Sequence, residues 1–250
     1  MVDSDTLQII LSWMTIPFFV IGFIGNVLII RIVHKTPDMH TPTDYLLANM
    51  AVSDAVAILS CSIYLFGTGR FICKLSVFIE IVMTVSYLTL IVLAVERYHA
   101  LLKPFRTGLR LREDNIRKAI AIVWSTSVVG CCPEFFLKKW SDTYSTCIGP
   151  WTLHKTPKTK AYVIVNASFV FIDLAILCCC YGSLIRGLYF TNTVCPETTE
   201  ERSSEKKKLV ITLIIASAAF FIGFTPTLVF YTVVASAGDD DNIEIGRAHV

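Results

Sequence analysis

Long, unbroken apolar runs organise this chain, in place of the alternating apolar and polar positions of a soluble core. Ile9 to Ile30 carries no charge at all. Tyr45 to Gly69 carries only Asp54, and Leu75 to Val95 only Glu80. Ala119 to Pro133 is uncharged but short, and its helix is expected to extend at both ends. Ala161 to Ile185 carries only Asp173, and Leu209 to Gly238 is again uncharged. A helix needs roughly 20 mainly apolar residues to cross a bilayer. Lipid offers backbone groups no partners, so each run predicts an α-helix. The expected helices cover about 9–32, 44–68, 72–98, 117–136, 160–186 and 207–236. The fold class is therefore an all-α membrane protein.

Composition agrees. Of 250 residues, 54% are hydrophobic and 17% charged, where a soluble domain carries about a quarter charged. Mean hydropathy is +0.62. A net charge of +2 gives no sign of a nucleic-acid partner. The distribution of charge says more. Loops after the first, third and fifth runs hold 13 Lys and Arg, against 7 after the second and fourth. The positive-inside rule then predicts an extracellular N-terminus, residues 1–8, on a multi-pass protein. That N-terminus is acidic and lacks the basic start of a cleavable signal peptide. The nine cysteines show no metal-ligand spacing. Only Cys73 and Cys147 sit at the edges of apolar runs, where an oxidising compartment could pair them.

Short motifs fall one per run, in order. The first holds Gly25-Asn26, and the second Leu46-Leu-Ala-Asn49-Met-Ala-Val-Ser-Asp54. Cys73 opens the third and Glu96-Arg97-Tyr98 closes it, with Pro104 seven residues after Arg97. Trp124 and Pro133 lie in the fourth, Tyr181 near the end of the fifth, and Phe220-x-x-x-Phe224-x-Pro226 in the sixth. Singly these are weak. Together they resemble the rhodopsin-like (class A) G-protein-coupled receptors over about residues 9–238. The resemblance implies a seven-helix bundle of which six helices are present, in the plasma membrane.

It also implies roles. Cys73 and Cys147 match the disulfide that ties the third helix to the second extracellular loop. Asp54 and Ser86 match ligands of an allosteric sodium ion, the one candidate cofactor, although Val82 stands where relatives often have a polar residue. A carboxylate at the bilayer centre costs about 2.5–3.5 kcal/mol, so Asp54 should face the bundle interior. Asn26 and Asn49 are expected in the same polar layer. Glu96, Arg97 and Tyr98, with Tyr181, Phe220, Phe224 and Pro226, match the family's activation switch and G-protein-coupling face. Lys206 stands where many relatives carry an acid that locks helices three and six at rest, which puts that lock in doubt. Asp173 occupies a position where the family usually has proline, so that helix should be straighter and the acid must find a partner or stay protonated.

The expected ligand pocket comprises Glu80, Met83, Asn166, Phe224 and Thr227. Glu80 could receive a cationic ligand or pair with a protein cation such as Arg70 or Lys74. The stretch Thr41-Pro-Thr-Asp-Tyr45-Leu-Leu-Ala-Asn49 resembles peptide receptors and their orphan relatives. The implied partners are thus an extracellular peptide, or a small cation bound by Glu80, together with a heterotrimeric G protein and the bilayer. An opsin or a non-signalling decoy is a further alternative. A voltage-gated channel would need spaced arginines in its fourth span, and Ala119 to Pro133 has none. No nucleophile or metal constellation suggests an enzyme. Residues 239–243 read as the start of the third extracellular loop. The heptapeptide Glu244 to Val250 can be encoded by the start of a common sequencing adapter, and is expected to be read-through that cuts off a seventh helix.

Overall fold

The structure, a computed structural model, describes residues 4–37, 39–67, 69–102, 111–143, 146–149, 157–189, 208, 210–219, 222, 223 and 229. Its elements are α1 (Ser4–Lys35), α2 (Pro42–Phe66), α3 (Arg70–Leu102), α4 (Glu113–Leu137), the strands β1 (Lys139–Ser141) and β2 (Thr146–Ile148), and α5 (Pro157–Tyr189). A described stretch of α6 follows at Val210–Ala219. Among the described residues, five helices are long and apolar enough to cross a membrane. The third extracellular loop and the terminal heptapeptide lie outside the described residues.

Local chemistry sets the helix ends. Pro42 opens α2 where a missing N–H costs nothing. Just before it, the Thr41 N–H donates to the Asp44 carboxylate at 3.0 Å, so the first turn is capped from within. After α2 the chain turns through Gly69, whose φ of 90° suits only a residue without a Cβ. Other helices run past their apolar blocks. The third block ends at Val95, but α3 continues to Leu102, because charged ends can extend into water without breaking the backbone ladder.

Helix α3 is the axis. It packs on α2, α4, α5 and both strands, while α1 packs on α2. Half of the α3 span is buried, against 6% of the α1 span. Leu46, Leu93, Leu101, Ile116, Leu177, Tyr181, Leu184, Val210 and Leu213 form one buried cluster joining α2 to α6. Large apolar side chains such as Phe18, Ile21, Val129 and Phe169 point outward. In lipid that arrangement is favourable, since close packing rather than water exclusion holds membrane helices together. Small hydroxyl residues permit the close approach. Ser53, Ser86, Thr89 and Ser127 are buried; Ser53, Thr89 and Ser127 donate to a backbone carbonyl of their own helix, while Ser86 turns its hydroxyl to Asp54.

Candidate functional site

Three polar layers are stacked along α3. The first lies at the end where the hairpin sits. Strands β1 and β2 pair antiparallel, with Trp140 opposite Cys147. Cys147 forms a disulfide with Cys73 of α3, their Cα atoms 5.1 Å apart. The hairpin is therefore fixed over the N-terminal end of α3.

Beneath it, Glu80 has a protein partner that differs from the two considered from sequence. Its carboxylate pairs with the ammonium of Lys138, the residue after α4. Glu134, one turn earlier on α4, forms an ion pair with the same ammonium at 2.8 Å. Arg70 is exposed. The Lys74 ammonium instead donates to the Phe135 carbonyl and, at 3.1 Å, to the Lys138 carbonyl, and lies 4.5 Å from the centre of the Phe135 ring. Lys74 thus neutralises the carbonyl end of the α4 dipole. Burial pushes the Lys138 ammonium down, but the two carboxylates outweigh burial and hold it above the ordinary lysine range. It is charged at neutral pH. Of the other expected pocket residues, Met83 is on an exposed face of α3 and Asn166 on an exposed face of α5. Phe224 and Thr227 lie outside the described residues.

The second layer is at mid-membrane. Ser86 donates to the Asp54 carboxylate, and the Ser53 hydroxyl lies 2.7 Å from that of Ser86. Asp54 and Ser86 come together as the sequence led us to expect. Asn26 and Asn49 do not join them. Asn26 donates to the Gly22 carbonyl of its own helix at 2.9 Å. Asn49 forms a separate node, donating to Thr89 at 2.9 Å and accepting the Trp124 indole N–H at 3.0 Å. One amide thereby joins α2, α3 and α4, because only an amide both donates and accepts in one plane. Asp173 of α5 is half-buried and lies near enough to Tyr87 of α3 for the two side chains to influence each other. Tyr87 is buried, so the acid faces inward.

Replacing Asn49 by Leu strands the Trp124 indole donor and removes the donor that Thr89 accepts. Interhelical hydrogen bonds in lipid average about 0.6 kcal/mol and reach about 1.7. The two together predict a loss of about 1 kcal/mol, a fall of about 2–4 °C in the thermal midpoint. Trp124→Phe, which deletes one donor, should cost about half as much. An unchanged midpoint in both variants would show the node to be energetically idle.

The third layer is at the C-terminal end of α3. Glu96 is 4% exposed, and its carboxylate accepts the Leu111 backbone N–H at 3.0 Å. Glu96 therefore holds the approach to α4 beside the expected coupling arginine. Arg97 and Tyr98 are half-buried, and the Tyr98 ring packs edge-on to His99. Tyr181 of α5 is buried, its hydroxyl 3.1 Å from that of Ser217 on α6. Lys206, Phe220 and Pro226 lie outside the described residues. Sequence reading passed over Glu134, Lys138, Ser53 and Ser217. Glu134 and Lys138 follow an apolar block immediately and stand four apart on a helix, which was the available signal for an ion pair. Single serines in apolar helices carry no such signal.

The model of the 7 transmembrane receptor (rhodopsin family) matches residues 25–245. Human neuromedin-U receptor 2 is 35% identical over 130 residues, 48% of this chain and 31% of that receptor. Galanin receptor type 1 of Rattus norvegicus is 27% identical over 188 residues, 68% of this chain and 53% of the receptor. A GQ-coupled rhodopsin of Mizuhopecten yessoensis is 28% identical over 185 residues, 67% of this chain and 36% of that protein. The matched stretch therefore spans between about a third and a half of these relatives. The chain belongs to the rhodopsin family of seven-transmembrane receptors, a family of signalling receptors and not of enzymes. It is a multi-pass membrane protein with a disulfide-anchored hairpin.

Proposed function

We propose that the protein is a cell-surface receptor for a peptide, with its N-terminus and hairpin outside, and that it activates a heterotrimeric G protein at the Arg97 end. One observation carries the ligand class: relatives found by similarity include the neuromedin-U and galanin receptors, both named for peptides. The geometry is compatible. The hairpin leaves a tethered rim at one end of the bundle, and Arg97 lies toward the other. An agonist acts by binding more tightly to the state in which α6 has swung outward about Pro226, with Phe220 and Phe224 repacking. Arg97, Tyr181 and the run Lys206-Lys207-Lys208 then face the G protein.

A receptor for a small cation through Glu80 is the second reading. Its carboxylate is 34% exposed, but Lys138 already neutralises it, so an amine would have to displace a buried ammonium.

Sodium fits the middle layer. Asp54, Ser86 and Ser53 converge as an all-oxygen donor set, the type a hard cation prefers. Asp54 and Ser86 would hold the ion, which would supply the positive charge that an intramembrane carboxylate otherwise lacks.

The test uses the complete receptor in lipid with purified G protein. Nucleotide exchange is measured against a peptide panel and an amine panel, at low and at high sodium. At least one peptide should raise exchange while amines do not, and sodium should weaken that response in the parent but not in Asp54→Asn. Activation by amines alone would overturn the peptide assignment. A sodium effect that survives in Asp54→Asn would remove the ion from this layer.

A further inference from the structure

The α4-to-β1 junction is tied to α3 twice over, and both ties involve Lys138. Its ammonium is gripped by Glu80 of α3 and Glu134 of α4. Its carbonyl accepts the Lys74 ammonium of α3 at 3.1 Å. The grip is enclosed, with the Lys138 side chain 6% exposed and that of Glu134 10%. The hairpin that follows is held at its other root by Cys147. Lys139 pairs with Ile148 and Trp140 with Cys147, so the two attachments flank a single short ribbon. Each attachment holds one root of the ribbon in place.

We propose that Lys138 is a positioning residue: an ionic clamp that fixes the hairpin over the mouth of the bundle independently of the disulfide. That the mouth admits a ligand rests on the proposed function. That the clamp orders the hairpin does not.

The charge count distinguishes a clamp from mere packing by the lysine stem. Two carboxylates share one ammonium. Lys138→Met leaves the Glu80 and Glu134 carboxylates with no ammonium between them, so that the pair must part or take up a proton, and either loosens the end of α4 from α3. Glu80→Gln leaves a balanced Glu134–Lys138 pair and cuts the ionic link to α3, while Lys74 stays on the Lys138 carbonyl. The triple variant Glu80→Gln, Glu134→Gln, Lys138→Met carries no charge, so it lacks the clamp but also the unbalanced carboxylates of Lys138→Met. The adjoining contact, Thr84 Oγ1 to Cys131 Sγ at 3.7 Å, is uncharged and unchanged throughout. A clamp therefore makes the triple variant milder than Lys138→Met. If the lysine stem matters only by packing, the triple variant is at least as severe.

The experiment is amide hydrogen exchange at residues 139–148 of the complete receptor in nanodiscs, before and after reduction by tris(2-carboxyethyl)phosphine. After reduction, wild-type amides should exchange no more than about threefold faster. Reduced Lys138→Met should exchange at least about tenfold faster, within the range of coupling between groups in one ionic network. Glu80→Gln and the triple variant, which lacks the clamp but carries no unbalanced charge, should both fall between. Reduction that frees the wild-type hairpin as fully as Lys138→Met overturns the proposal, as does a triple variant as fast as Lys138→Met. If Lys138→Met fails to reach the membrane, recovery of the triple variant supports the clamp, and failure of both overturns it. Normal protection with no response to any peptide would count against the ligand reading and leave the clamp standing.

Discussion

Arg97→Ala in the complete receptor should lower agonist-stimulated nucleotide exchange by at least about 30-fold, with ligand binding little changed. Arginines at the centre of protein interfaces commonly carry 2 kcal/mol or more, which is a factor of that size. Arg97 is half-buried at the α3 terminus, beside a glutamate that spends its carboxylate on the Leu111 amide. Lys at this position keeps the charge but loses the planar fork, so Arg97→Lys should recover only part of the activity. Exchange assays with purified G protein, alongside ligand saturation, separate coupling from folding. Full exchange by Arg97→Ala would place the coupling surface elsewhere.

Cys147→Ala should have the second-largest effect. The bond closes a sequence separation of 74 residues. The chain-entropy relation gives roughly 4 kcal/mol for a loop of that length. That is an upper bound here, because α3 and α4 remain membrane-inserted and keep the loop ends close even when the bundle is loosened. The expected result is a fall of several-fold in surface receptor and in ligand affinity. Quantitative surface labelling and saturation binding report the two separately. Unchanged values for both would show that the hairpin needs no covalent tie.

The membrane helices were legible because lipid leaves the backbone no alternative. Their ends were not, because a helix can run out into water on charged residues. The fourth block shows the cost of stopping at a charge. It closed at Pro133, one residue short of Glu134, while α4 continues to Leu137. Lys138 was accordingly counted among the loop charges of the fourth-to-fifth connection. In the structure it is enclosed between Glu80 and Glu134. The Cys73–Cys147 pair was legible through the resemblance, but the strands that carry it were not. Three residues each, they lack any period of their own and are set by what holds their roots. Asn49 was placed in the wrong layer because sequence fixes depth only to about a turn, and Thr89 and Trp124 offered better-matched hydrogen-bonding groups than Asp54.

The hydroxyl contact between Tyr181 and Ser217 has a consequence for how readily the bundle changes state. A neutral hydrogen bond of this kind contributes about 1 kcal/mol net. A bias of that size tilts a two-state population by only about fivefold. A contact this light ties α5 to α6 only weakly, so that any rearrangement between the two helices would meet little resistance from it.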